Sequence, residues 1–270
     1  MRGDSVDVVD ILRVALSTED VELEAIPVPL DGGRSAALFR FRLSAGPEPL
    51  IGEDLVLRLP PSPSAWRDEC VIQDRVARLG YPAPEVLQWG TTDAGSYMVM
   101  RFVEGRSLFD TGSRMSGFRR VPAQLAALMI ALHRLDAAPI REALIATSTP
   151  FGLDARARAL ADLHGSFGAA DHPAGDELCA WLEQRQPDRG PQVVCHGDLH
   201  ALNVLVNGHT AVLDWELAAI GDAAFDIART KLLLHAVPMD LPRSAASFSR
   251  TGSAAVAAKC SPGGRRRGPC

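Results

Sequence analysis

His196-Gly197-Asp198-Leu199-His200-Ala201-Leu202-Asn203, followed eleven residues after Asn203 by Asp214-Trp215-Glu216, is the stretch that decides the fold of this chain. The β-branched run Val193-Val194-Cys195 leads into it. Beyond it, Asn203 to Val206 and Thr210 to Asp214 flank Asn207-Gly208, the strongest short-range hairpin signal. A strand, a polar loop and a hairpin therefore hold two carboxylates and one carboxamide at their ends. Upstream, the pattern from Val121 has helical period, with Pro122 at a helix start and Leu125, Leu128, Met129, Leu132 and Leu135 on one face. Leu153 to Leu163 and Asp176 to Gln184 are further helix candidates.

The first hundred residues read differently. Val6 to Leu16 has the spacing of a short helix with one buried face. Val21 to Val28 and Ala36 to Leu43 are β-rich runs joined through Asp31-Gly32-Gly33-Arg34-Ser35, and Asp54 to Leu59 supplies a third strand. Pro60-Pro61-Ser62-Pro63 stops the sheet, Ser64 caps a helix reaching about Leu79, and Val86 to Trp89 and Tyr97 to Val103 are two more strands. This is an antiparallel, mostly β lobe.

Composition removes several function classes. Apolar residues make up 47% and charged residues 23% of the 270, so the chain is globular, and its longest apolar run, Leu125 to Leu132, is far below the roughly 18 residues of a membrane helix. The acids in Met1-Arg-Gly-Asp-Ser-Val-Asp do not fit a signal peptide, and the expected location is cytoplasmic. The cysteines, at 70, 179, 195, 260 and 270, fit neither a disulfide framework nor a zinc site. Net charge is −5, yet residues 243–270 carry six basic residues and no acid, which leaves residues 1–242 at −11. Such a body argues against nucleic acid and is compatible with a cationic substrate. The only lysines are Lys231 and Lys259, so no lysine chemistry is available in the first 230 residues.

Asp198 precedes Asn203 by the spacing of a kinase catalytic loop, in which the Asp accepts a hydroxyl proton and the Asn binds Mg2+, and Asp214 stands where a second metal-binding Asp is required. With Asp214-Trp215-Glu216, the stretch resembles the signature of the aminoglycoside phosphotransferase and choline kinase family, H-G-D-x-x-x-x-N followed by D-W-E. Gly221-Asp222-Ala223-Ala224-Phe225-Asp226-Ile227-Ala228 resembles the segment that follows in that family, with Ala223 in place of a proline. Tyr81-Pro82-Ala83-Pro84 is similar to its V-P-x-P connector, Met100 to Gly105 to its nucleotide hinge, and Leu132-His133-Arg134-Leu135-Asp136 to its L-H-x-L-D helix end.

The resemblance implies an α+β, bilobal protein-kinase-like fold. Its parts would be an N-terminal nucleotide-binding lobe over 1–103 with an antiparallel sheet and one helix, a mainly helical catalytic lobe over 104–242, and a disordered Arg/Gly/Ser/Ala-rich tail over 243–270. It also implies ATP-dependent transfer of the γ-phosphate to a hydroxyl of a small molecule, aminoglycoside-like, an amino alcohol or a sugar, with no nucleic acid or membrane partner. Asp198 would be the base, and Asn203 and Asp214 would hold Mg2+. Arg58, in Leu55-Val56-Leu57-Arg58-Leu59, stands where the family has a lysine; braced by Glu69, it would grip the phosphates. Gly32, Gly33 and Ser35 would form the glycine-rich turn, and Arg101, Phe102 and Val103 the adenine hinge. His196 would hold the loop, Trp215 would pack, and Asp222 and Asp226 would brace loops.

Two rival readings remain at this stage. One is a nucleotide-binding member without transfer activity, since the tail offers no helices for an acceptor pocket. The other is a metal-dependent hydrolase using His196, Asp198 and His200, an H-x-D-x-H pattern. The apolar Leu232-Leu233-Leu234 of the helix predicted from Ile227 adds an expectation of self-association.

Overall fold

The computed structural model describes residues 8–30, 36–60, 66–93, 95–111, 120–147, 151–169 and 174–236. The glycine turn with Gly32, Gly33 and Ser35, the Ser64 cap and the 243–270 tail lie outside the described residues. Contacts divide the chain between Glu104 and Gly105 into two compact units.

In the first unit, helix α1 (Val8–Leu16) is followed by β1 (Glu22–Leu23), β2 (Val28–Pro29), β3 (Ala37–Phe41), β4 (Leu43–Ala45), β5 (Leu55–Leu59), α2 (Trp66–Arg78), β6 (Val86–Thr92) and β7 (Gly95–Arg101). The single strand expected over 21–28 is two short pieces that pair with different partners, β1 with β4 and β2 with β3. Pro27 and Pro29 account for the break, because proline offers a ladder no N–H. The main sheet is antiparallel in the order β2-β3-β5-β7-β6. Strand alternation sorts β5 into two faces. Leu55 and Leu57 join Phe41, Tyr97 and Val99 in a core closed by Ile11 and Leu12 of α1. On the other face, Arg58 pairs in register with Met98, which packs with Trp66 and Cys70 of α2. The sheet thus lies between the two helices that the sequence predicted over Val6 to Leu16 and from Ser64 to about Leu79.

The second unit runs β8 (Arg106–Ser107), α3 (Leu108–Thr111), α4 (Val121–His133), α5 (Ala138–Ala146), α6 (Ala155–Ala169), α7 (Gly175–Gln184), β9 (Gln192–Cys195), β10 (Val204–Val206), β11 (Thr210–Val212), β12 (Ala219–Asp222) and α8 (Ala223–Ala236). α4 buries Leu125, Met129 and Leu132 of the predicted stripe together with Pro122 and Ala126, while Leu128 is only half-buried and Leu135 lies past the helix end. The β10–β11 hairpin closes over Asn207-Gly208-His209, with Gly208 at φ +70°. β8 adds to the free edge of β10, and β12 pairs with β9. Leu232 near the end of α8 is 63% exposed. No helix among the described residues is long and apolar enough to cross a membrane.

Candidate active site

The loop after β9 is built on one glycine and one buried carboxylate. Gly197 has φ +79°, and a Cβ there would stand 2.5 Å from the Leu217 carbonyl oxygen, so only glycine can turn the chain at this point. Asp226 on α8 is fully buried and accepts the N–H groups of His196 (3.1 Å) and Gly197 (2.8 Å). His133 Nε2, at the end of α4, completes its shell at 3.0 Å. His133 and Asp226 lie 93 positions apart in the sequence. Burial works to raise the Asp226 pKa, but the hydrogen bond and charge of His133 and the loop N–H groups outweigh it and hold the carboxyl below its ordinary range.

His196 is fully buried, and both its nitrogens are used. The Asp198 N–H donates to Nδ1 (3.2 Å), which places the ring proton on Nε2, where it donates to the Leu213 carbonyl (3.0 Å). Burial lowers its pKa and keeps it neutral. The ring packs on Trp215 with centroids 4.7 Å apart, and the indole N–H bonds the Val212 carbonyl at 3.0 Å. His196 therefore ties the loop to the strand end that carries Asp214, and no nitrogen is left for a metal.

Asp198, Asn203 and Asp214 are brought into one neighbourhood by this frame. Asn203 Nδ2 donates to both the carbonyl and Oδ2 of Asp198, at 3.1 Å each. The Leu213 N–H donates to the Asn203 carbonyl at 2.8 Å, which brings the residue before Asp214 against Asn203 at the open end of the hairpin. His200 Nε2 reaches the same Oδ2 of Asp198 at 3.4 Å. Burial pushes the Asp198 pKa up, but the His200 hydrogen bond and charge, with the more distant Arg229, pull it below the usual carboxylate range. Asp214 is exposed and held at φ +64°, a region that Asp and Asn tolerate better than other side chains. With the amide nitrogen of Asn203 spent on Asp198, its oxygen is the atom free to ligate, and an amide oxygen beside an exposed carboxylate is a donor set suited to a hard cation such as Mg2+.

Two further supports were not legible from motifs. Arg158 on α6 is 6% exposed and donates to the Glu216 carbonyl and, at 3.3 Å, to the Ala218 carbonyl, bracing the segment just after Asp214. On α8, Arg229 Nε donates to the Gly197 carbonyl, and Thr230 Oγ1 to the Leu199 carbonyl at 3.0 Å. Asp226, Arg229 and Thr230 follow helical spacing, so one face of α8 grips the whole loop. Asp222 braces a different place, accepting the N–H groups of Gly190 and Ala224 at 2.8 Å each.

In the first unit, the expected Arg58–Glu69 ion pair is formed, with both residues buried. The hinge is more committed than the sequence implied. The Arg101 N–H donates to the Glu85 carbonyl (3.0 Å) and the Phe102 N–H to the Asp54 carbonyl (2.9 Å), so neither amide can serve adenine. The Arg101 side chain is held by Glu85 at 2.8 Å and Glu53 at 3.0 Å. Asp54 takes Arg42 and Arg40, whose hydrogen bonds hold its carboxyl far below the usual range, and Arg40 lies 4.2 Å above the Phe102 ring. What Arg101, Phe102 and Val103 could offer a base is thus the two carbonyls and the Val103 peptide.

Residues 28–252 match the phosphotransferase enzyme family. An aminoglycoside 3'-phosphotransferase from Streptomyces fradiae is 29% identical over 201 residues, covering 70% of this chain and 74% of that protein. Acyl-CoA dehydrogenase family member 11 from Mus musculus is 26% identical over 188 residues, 64% of this chain, which spans 24% of that much longer protein. Among solved structures, an aminoglycoside phosphotransferase from Streptomyces rimosus matches at TM-score 0.60 and 20% identity, over 94% of this chain and 91% of that one. A thermostable aminoglycoside phosphotransferase mutant in ternary complex with ADP and hygromycin B matches at TM-score 0.59 and 19% identity, over 93% and 82% of the two chains. At these identities the structures speak for the fold, which is the α+β, kinase-like one that the sequence predicted. With the family match spanning most of the chain and the loop built around Asp198, this protein belongs to the phosphotransferase enzyme family and is a phosphotransferase with a hydroxyl acceptor.

Proposed function

We propose that the chain transfers the γ-phosphate of ATP to a hydroxyl of a small molecule, an aminoglycoside, an amino alcohol or an amino sugar. The observation that carries this reading is the locked pair Asp198–Asn203, in which one carboxamide orients the base and keeps its own oxygen for a metal. Asp198 accepts the acceptor's hydroxyl. Because its pKa is depressed, it acts more by orienting that hydroxyl than by early proton removal, in keeping with a loose transition state in which the nucleophile is deprotonated late. Asn203 and Asp214 would hold Mg2+, which when bound neutralises phosphate charge. Arg58, held straight by Glu69, serves the phosphates, and the hinge carbonyls serve adenine. The ADP complex of the structural neighbour and the aminoglycoside relative support nucleotide and acceptor class respectively. The negative charge of residues 1–242 favours a cationic acceptor. The hydrolase reading loses its first ligand, since His196 has both nitrogens engaged.

Calorimetric titration with ATP, with and without Mg2+, followed by a panel of aminoglycosides, amino alcohols and amino sugars assayed for ADP release, tests this. ATP binding without release for any acceptor would favour the nucleotide-binding, non-transferring reading.

Two substitutions probe the parts separately. Asp214→Asn keeps the backbone at ease at φ +64° while removing a charge from the metal site. It should weaken Mg2+-dependent ATP binding by about tenfold or more and move the melting temperature by less than about 2 °C, as an exposed site should. Unchanged Mg2+ dependence would remove Asp214 from the site. Arg58→Ala should cost about ten- to a hundredfold in ATP affinity, the worth of charge-assisted hydrogen bonds, whereas Arg42→Ala, which loses only an exposed pair with Asp54, should cost almost nothing. Equal affinities in the two variants would assign the phosphates to another group.

A further inference from the structure

We infer that Gln73 is the positioning residue that fixes α2 and thereby keeps Arg58 assembled for phosphate before any nucleotide arrives. The inference rests on the reading of Arg58 as the phosphate ligand.

The argument starts from the connector Tyr81-Pro82-Ala83-Pro84. Pro84 is buried, and its carbonyl precedes β6, whose first residue is Val86, so it lies outside the sheet ladder. A buried carbonyl outside a ladder must find a partner elsewhere. Gln73 Nε2, 3% exposed, donates to it at 2.9 Å and also lies 3.6 Å from the Met100 sulfur on β7. Gln73 is four residues after Glu69, hence on the same face of α2. That face has three anchors. Trp66 meets Trp89 of β6 edge to face, with centroids 5.5 Å apart. Glu69, 2% exposed, pairs with Arg58 of β5. Gln73 holds the far end.

The first anchor is an apolar ring contact, and the second is an ion pair on a long side chain. Of the three, Gln73 is the one whose side chain reads a backbone atom, one held by two prolines that stiffen the connector. Without it, α2 keeps its apolar packing through Cys70, Ile72 and Val76 but loses the hydrogen bond that sets its register against the connector, and small shifts of Glu69 go uncorrected. In kinase-like folds the cation–glutamate pair must be in place for phosphate alignment, and where that helix moves freely its position is a point of control. Here the amide removes that freedom, so the grip should need no activating modification or partner.

The test uses the full chain and three ligands: MgATP, ADP and adenosine, each titrated calorimetrically. Gln73→Met keeps the volume and deletes the donor; Gln73→Asn is the second variant, shorter by one methylene and unable to reach Pro84. Both should lose about five- to tenfold in MgATP and ADP affinity, the usual coupling of neighbouring groups, while adenosine affinity stays within about twofold. In an Arg58→Met background the loss caused by Gln73→Met should vanish, since its route to the phosphates is gone. Equal loss for adenosine and ATP, no loss at all, or the same loss with Arg58 absent would overturn the inference. Arg58→Met binding MgATP as tightly as the parent chain would instead bring down the phosphate reading itself, and that outcome is separate because it does not involve Gln73.

Discussion

Asp198→Asn is expected to retain ATP binding within about twofold and to lower phosphoryl transfer by about 10²- to 10⁴-fold, the usual worth of a positioned base. The substitution is nearly isosteric, so the contacts that hold the loop need not change: Asn203 can still donate to the main-chain carbonyl at residue 198, and the N–H there can still donate to His196. What is lost is the charge that accepts the hydroxyl proton. An amide oxygen can still take a hydrogen bond from the acceptor, so the Michaelis constant for acceptor should move much less than the turnover. Single-turnover measurement with a competent acceptor from the panel decides it. Normal turnover in the variant would mean that Asp198 only shapes the loop.

The largest loss of stability is expected from Asp226→Ala. The substitution leaves two buried backbone N–H groups, those of His196 and Gly197, without an acceptor and strips His133 of its partner. Unpairing a buried, hydrogen-bonded charge costs about 3–5 kcal/mol, which for a chain of this size lowers the melting temperature by roughly 10 °C. The same carboxylate gives stability a pH dependence of definite sign. Its folded pKa is depressed below the unfolded value, so its contribution is present in full above the unfolded pKa and is lost as pH falls through the folded one. The gap between parent and variant should therefore be widest near neutrality and narrow in acid. A gap that widens below the ordinary carboxylate range would contradict the assignment.

The parts of this protein legible in its sequence are those fixed by short spacing. Asp198 and Asn203, the Asn207-Gly208 turn and the stripe of α4 each depend on neighbours within a few positions, and the structure has them. What escaped depends on distant partners or weak local signals. His133 meets Asp226 across 93 positions, and no local pattern announces it. Arg158 looks like one more charge on a polar helix until its two carbonyl partners, from the far side of the hairpin, are in place. α5 buries only Ile140 and Leu144, too narrow a stripe to read as a helix. β12 was read as motif and not as strand because Gly221 and Asp222 are poor strand formers; pairing with β9 overrides that preference. At Arg101 and Phe102 the motif located the hinge, but which amides remained free depended on Glu85 and Asp54, whose pairing the motif does not encode.

On the proposed reading of Arg58 as the phosphate ligand, position 58 also bears on how this enzyme can be labelled. Nucleotide-lobe lysines are the customary target of acyl phosphate and other amine-directed affinity reagents, and here residues 1–230 contain no lysine at all. If Arg58 grips the phosphates as proposed, such reagents would find no lysine at that position. A guanidinium-directed dicarbonyl is the matched reagent. Because Arg58 is 9% exposed and paired, whereas Arg42 lies in the open, the informative signal is slow modification that ATP suppresses, on top of a fast phase that ATP leaves alone.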